Sequence, residues 1–260
     1  MKNVIFLLFL LIAMTNQSFG DWTPPKNIDL RQVLDSAYDD RKNNNYKDAL
    51  SKHIWFHDNA LKINSSFYGV RLSYALSAWV ELSNVYSPAL EALEALSTRT
   101  ERLVKDSGKC CRDAFHDYVS INRELGRENK VVELFKWMDA NNPIAAKRNY
   151  DLAQPALISQ REYILCGKYI SPENDYSKLK EMYKTNSDMA KDPRLGAEMK
   201  SFADDSFVNG VTTLVAILTL NGQTEEAASI AEQSLSIMMG EIYEAELNKA
   251  LSGKVPDPWP

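Results

Sequence analysis

Two histidines four residues apart form the sharpest chemical pattern in this sequence. His53 and His57 stand in the run HIWFHD, and on a helix they would lie on one face. Two imidazoles spaced in this way can bind zinc. A zinc hydrolase would also need a glutamate directly after the first histidine, where this chain has Ile54, and only Asp58 or the distant His116 could be a third ligand. The pattern favours two histidines that pack or hydrogen-bond, with a metal-binding protein or metal-dependent enzyme as the alternative.

A thiol nucleophile with a nearby base is the second chemical possibility. Cys111 and His116 are five residues apart, so on a helix their side chains would point about 140° away from each other. The sequence has no Gly-x-Ser-x-Gly turn, no phosphate-binding loop and no Gly-x-Gly-x-x-Gly motif. We therefore expect no catalytic residues and no cofactor.

The first twenty residues resemble an export signal. Lys2 is followed by a continuous apolar run over residues 4–14, and Ser18-Phe19-Gly20 has the small-x-small pattern of a cleavage site. The run is too short for an ordinary membrane span, and no later stretch is apolar enough to be one. We expect a signal peptide at residues 1–20 and an exported protein, periplasmic or secreted, with no stable membrane span after cleavage.

Export would place the cysteines in an environment that permits disulfides. Cys110 and Cys111 are adjacent, and neighbouring cysteines rarely pair with each other, so one of them could bond to Cys166. Three reduced, partly buried thiols are an equally good interpretation. The sequence leaves the two open.

The composition is that of a soluble helical protein. Only ten glycines and ten prolines occur in 260 residues, which favours helices over a many-stranded β fold. The net charge of −5 argues against nucleic acid as the main partner. Residues 21–28 are predicted to be an extended arm, residues 29–252 a helical domain, and the proline-rich residues 253–260 a non-helical tail.

Apolar periodicity and turn signals predict a string of helical hairpins. Asp29 is a good N-cap for the first helix, and Ser87-Pro88 and Ser171-Pro172 start later ones. The predicted helices include residues 46–63, 67–85, 87–104, 111–125, 129–140, 153–169, 172–190, 203–220 and 224–251.

Parts of this string resemble tetratricopeptide (TPR) repeats. Residues 112–145 have the 34-residue TPR length, and the family's positions are matched by Gly126 at the turn, Val131, Phe135 and Met138 in the second helix, and Pro143 at the end. A second copy resembles the family through Gly222, Ala227, Ala231 and Leu235, and two Tyr-x-x-Ala segments begin at Tyr46 and Tyr86. The tryptophan and Leu-Gly pair of the first TPR helix are absent. The resemblance implies an all-α fold of antiparallel helical hairpins stacked as a right-handed solenoid.

In such a solenoid the first helix of each hairpin lines the concave face. The resemblance therefore implies a set of inward side chains on this face: Arg31, Tyr38, Arg41, Arg71, Tyr74, His116, Arg123 and Arg161, followed by Asn209 and Thr212. Arginine binds carboxylates through paired hydrogen bonds, and tyrosine adds rigid contact area. We thus expect a monomer that binds a protein or peptide with acidic groups or a free C-terminus. Pairing of the same arginines with acids on adjacent helices is the alternative.

Overall fold

The computed structural model describes residues 22–106 and 112–259, and there the chain forms helices and no β-strand. The predicted all-α class is confirmed. The predicted signal peptide and the pair Cys110-Cys111 lie outside the described residues. None of the described helices combines the length and the apolar character that crossing a bilayer requires.

The chain divides into two compact units, the first ending at Glu94 and the second beginning at Ala95. The first unit contains α1 (Leu30–Lys42), α2 (Tyr46–Ile63), a 3₁₀ turn (Ser65–Phe67), α3 (Tyr68–Leu72), α4 (Tyr74–Ser83) and the start of α5 (Ser87–Asp106). The second unit contains the rest of α5 and α6 (Arg112–Glu124), α7 (Glu128–Asn141), α8 (Pro143–Ser159), α9 (Tyr163–Tyr169), α10 (Pro172–Met189), α11 (Gly196–Leu220), α12 (Thr224–Leu235) and α13 (Glu241–Leu251).

Local signals set several helix ends. Asp29 caps α1 as predicted, since its Oδ1 accepts a hydrogen bond from the backbone N–H of Arg31 at 2.9 Å. Asn142 caps α8, with Pro143 at its first position. Gly126 stands in the turn between α6 and α7 with φ +64°, a conformation that glycine adopts without strain. Residues 112–141 thus form a helical hairpin of the predicted kind.

Three predicted continuous helices are wrong because each is interrupted. The predicted helix 67–85 breaks at Ser73, whose backbone is non-helical (φ −125°, ψ −94°) and whose hydroxyl donates to the carbonyl of Gly69 at 2.9 Å. The predicted helix 153–169 starts too late, because α8 already begins at Pro143, and it is interrupted after Ser159, where Arg161 has φ +59°. The predicted helix 224–251 ends at Leu235 and resumes after Gly240, whose φ is +144°. Apolar periodicity runs through all three breaks, so it could not reveal them.

Each unit has its own core. In the first unit α1 packs along α2, and Trp22 from the N-terminal arm lies edge-on against Trp55 with ring centroids 5.7 Å apart. In the second unit α11 contacts α9, α10, α12 and α13, and its residues 211–218 are all buried. A helix buried on every face belongs to the interior. The stacking of these helices as one right-handed TPR-like solenoid stays a prediction from sequence.

Candidate functional site

The two helical histidines of the first unit are buried, and one of them is already bonded. The guanidinium of Arg71 donates from Nη1 to His57 Nε2 at 2.7 Å. This assigns the imidazole proton to Nδ1, which faces Asp58 Oδ1 at 3.6 Å. A metal would have to compete with a buried cation for the same nitrogen.

His53 is surrounded by apolar and cationic groups. Its ring stacks on Trp79 with centroids 6.0 Å apart and planes 14° from parallel, and its Nδ1 makes no hydrogen bond in the described structure. Burial, with a smaller contribution from the charge of Arg41, lowers the pKa of His53 to about 4. Across residues 22–106 and 112–259, no three His, Cys, Asp or Glu side chains form a group that could hold a metal ion. The geometry therefore favours two packed histidines over the metal-site alternative.

An ion pair lies beside these histidines. The Lys52 ammonium bonds the Asp40 carboxylate and donates to the Ser36 hydroxyl at 2.7 Å. Lys52 is only 5% exposed, so its charge is compensated inside the fold rather than by water. The run of residues 52–57 thus contributes a buried polar cluster that joins α1, α2 and α4.

The first unit holds five of the eight predicted partner-binding side chains, and these five differ in their exposure to solvent. Tyr74 is 58% exposed, and Tyr38 and Arg31 are exposed as well. Arg41 forms a salt bridge with Glu81 at 2.7 Å, as the alternative interpretation expected for these arginines. Arg71 is a correction: it is only 5% exposed, because α3 directs it at His57, so it does not present its charge to a partner.

The other three predicted side chains belong to the second unit, where two lie on α6 and the third lies between α8 and α9. His116 is half-buried, and burial together with the nearby Arg112 charge lowers its pKa. Arg123 lies 3.6 Å from the carboxylate of Glu124. Arg161 is exposed, but it occupies the turn between α8 and α9 rather than the first helix of a hairpin. Its predicted place on a concave helix is therefore wrong.

A cleft lies in the second unit, with a volume of about 740 Å³. Its walls are formed by one face each of α8, α10 and α11, and the C-terminal segment lies along it. A cleft of this size is within the ordinary range for ligand sites, about 300–1,000 Å³. Apolar side chains cover much of its surface: Pro155, Ile158, Ile170, Leu179, Met182 and Leu214.

The charges that line the cleft are of two kinds. Arg112 makes a two-pronged ion pair with Asp151, with N–O distances of 2.9 and 2.6 Å, and it also donates to the carbonyl of residue 148 at 2.6 Å. Asp175 accepts from the backbone N–H of Ser171 at 2.9 Å and pairs with Lys178 at 3.2 Å. These four charges therefore form two compensated pairs, Arg112 with Asp151 and Asp175 with Lys178.

Lys147 and Arg148 are different. Both line the cleft, both are exposed, and neither side chain has an ion pair or hydrogen bond to any residue in the described ranges. Two adjacent cations beside an apolar surface make this end of the cleft suited to an anionic group.

A buried hydroxyl adds a polar group to the cleft wall. Tyr150 is 7% exposed, and its hydroxyl lies near Gln154 and the Cys166 thiol without a hydrogen bond of good geometry to either. Burial raises the pKa of this phenol, so it stays protonated and can donate. The hydroxyl itself is buried within the wall, so a ligand in the cleft would not contact it.

Sequence reasoning found one cleft residue, Asn209, and missed the cations on α8. Lys147, Asp151, Gln154, Pro155 and Ile158 recur at helical spacing, so they could have been recognised as one face of α8. The sequence offered no sign that this face borders a gap instead of a neighbouring helix. Thr212, placed with Asn209 in the inward set, is buried and donates to the backbone of its own helix.

Comparison of the chain with protein-family models, with curated proteins and with solved structures found no match. The resemblance to TPR repeats thus rests on the sequence motifs alone.

Proposed function

We propose that this all-helical protein binds a protein or peptide segment in the cleft of its second unit and catalyses no reaction of its own. The observation that carries the proposal is the pairing of an apolar cleft surface with two uncompensated cations, Lys147 and Arg148. A segment with an acidic side chain or a free C-terminus would bring its carboxylate to these cations and its apolar side chains to Ile158, Leu179 and Met182. The proposed ligand has the same chemistry as the one expected from the sequence, but its proposed binding site is on α8 instead of the set of side chains around Arg71.

A binding role fits the cleft better than a catalytic one, because the carboxylates that line the cleft are already held in ion pairs. Asp151 and Asp175 each form an ion pair. Burial by itself would raise the pKa of Asp151, but the hydrogen bonds and the charge of Arg112 outweigh it, so the pKa is lowered. A carboxyl group held ionised in this way is a poor general acid, and a paired carboxylate is a poor base at neutral pH. The role of these acids is to fix Arg112 and the start of α10 as rigid walls.

The proposal includes export and a monomeric state. Residues 1–20 carry the signal-peptide pattern, and the acidic net charge of −5 disfavours nucleic acid as the partner. An exported binding protein could act as an adaptor, an assembly factor or a secreted effector.

A phage-displayed library of random dodecapeptides provides a direct test. The protein, immobilised without residues 1–20, should enrich peptides that contain Asp or Glu beside apolar residues. An enriched peptide, synthesised with a fluorescein label, should bind in solution by fluorescence polarisation. Reversing both cations, Lys147→Glu with Arg148→Glu, should weaken that binding at least about 30-fold, since each lost charge-assisted contact is worth about 1–2 kcal/mol.

The matched control has the same change in charge elsewhere. Lys47→Glu with Lys184→Glu alters two exposed lysines that do not line the cleft, and it should leave the Kd within about twofold. Equal weakening by both double variants would show a non-specific charge effect and would overturn the assignment to the cleft. A library that yields no peptide sensitive to Lys147 and Arg148 would overturn the proposed function.

A further inference from the structure

The chain's own C-terminal segment already occupies one end of the cleft. The side-chain amide of Asn209 donates to the backbone carbonyl of Asp257 at 2.9 Å. Pro258 and Trp259 line the cleft, and the Trp259 ring lies edge-on against Phe202 with centroids 6.0 Å apart. The cleft thus shows in this structure which chemistry it accepts: an extended backbone carbonyl and an aromatic ring.

The segment is firmly anchored at its start and lightly held at its end. After α13 the chain turns at Gly253 with φ +83°, where an added Cβ would come within 3.0 Å of Leu220. Val255 packs against both hydrophobic clusters of the second unit. Asp257 and Trp259 are exposed. The backbone carbonyl of Asp257 accepts a hydrogen bond from Asn209, and the Trp259 ring contacts Phe202. The end of the segment can therefore leave the cleft without loss of the core.

We propose that the partner of this cleft is an extended segment containing proline and an aromatic residue, and that residues 256–259 stand in for it until it displaces them. The proposal rests on the function proposed above and deepens it. Proline fixes φ near −65° and lacks an N–H, so prolines at 256 and 258 hold Asp257 in an extended form and direct recognition to its carbonyl. A partner segment with the same residues would use Asn209 and Phe202 in the same way.

The short connection from Val255 makes the internal segment an effective competitor. Only one residue separates Val255 from Asp257, and a short tether gives an effective concentration in the millimolar range. If the free segment binds with a Kd of about 0.1 mM, its tethered copy weakens an external ligand about tenfold. A partner must therefore carry additional contacts, for which Lys147 and Arg148 remain available.

The test compares the intact chain with a chain truncated after Val255, which keeps the anchor in the core. The probe is a fluorescein-labelled synthetic peptide of residues 254–260, KVPDPWP. We expect it to bind the truncated chain at least about tenfold more tightly than the intact one. A peptide with alanine in place of the tryptophan should lose most of the affinity, and Asn209→Ala in the truncated chain should weaken binding of the parent peptide. Asn248→Ala, on the exposed side of α13, is the matched control and should change nothing.

Three results would overturn the inference: equal binding to both chains, no binding to a truncated chain of unchanged helical content, or equal binding of the alanine peptide. If truncation prevents folding, the intact Trp259→Ala variant replaces it and should bind the KVPDPWP peptide more tightly than the parent chain does. No gain in that variant would equally refute the inference. Library peptides that depend on Lys147 and Arg148 but not on the tail would refute this inference and leave the proposed function standing.

Discussion

Acid should destabilise the first unit through His53. This side chain is 3% exposed, and burial together with the Arg41 charge lowers its pKa from about 6.5 to about 4. Between these two pH values the unfolded chain binds a proton that the folded unit excludes. The free energy of unfolding therefore falls as the pH falls from about 6.5 towards 4, and it is fully retained above that window.

The size of the effect follows from the two pKa values. A tenfold difference in proton affinity corresponds to about 1.4 kcal/mol, so the loss over the whole window is about 3 kcal/mol. Roughly 2 kcal/mol of it should be reached at pH 5, relative to pH 7. A loss of this size is a large fraction of the stability of a small unit.

Tryptophan fluorescence during urea unfolding can isolate the first unit. The chain has five tryptophans, and replacing Trp137 and Trp259 by phenylalanine leaves Trp22, Trp55 and Trp79, all in that unit. In this background we expect the free energy of unfolding to drop by about 2 kcal/mol between pH 7 and pH 5.

The matched variant is His53→Phe, which keeps a ring against Trp79 but cannot bind a proton. Its free energy of unfolding should change much less over the same pH range. If the variant loses as much stability as its parent, another group controls the pH dependence, and the description of His53 as a neutral buried ring is refuted.

Two further measurements address buried charge and buried sulfur. Asp40→Asn should lower the free energy of unfolding in urea by about 3 kcal/mol, because it leaves the Lys52 ammonium inside the fold without its anion. The control Asp39→Asn, on the exposed side of the same helix, should lower it by less than about 0.5 kcal/mol. Similar losses for the two variants would contradict the buried ion pair. Cys166 is fully buried and forms no disulfide, and burial raises the pKa of its thiol to about 11. Iodoacetamide should therefore label it only in urea, as mass spectrometry of the labelled peptides can show. Rapid labelling of the folded chain would show that this part of the core opens.

Local signals explain what could be predicted. A cap such as Asp29 or a proline at the first helical position acts within a few residues, so the beginnings of α1 and α10 could be read from the chain. Pro143 resembles the end of a TPR repeat, although it begins α8. The few glycines and the 3.6-residue apolar period likewise indicated an all-α fold. The break at Ser73 could not be read in this way, because apolar residues on both sides continue the same period.

The candidate site depended on information that no short stretch contains. Arg71 looked like a side chain for a partner, yet it is buried against His57, because the break after α3 and the packing of α2 decide which way it points. Lys147 and Arg148 carry no sequence signal that distinguishes them from other charged residues, yet they border a cleft.

The sequence by itself determined the helical class, several helix ends and the residues available for binding, since caps, prolines and periodicity act over one or two turns of chain. Only the tertiary structure decided which of those residues are buried, which cations are compensated, and where a gap between α8, α10 and α11 receives the C-terminal segment. These depend on contacts between residues as far apart as Asn209 and Asp257, and such contacts form only when distant helices pack together.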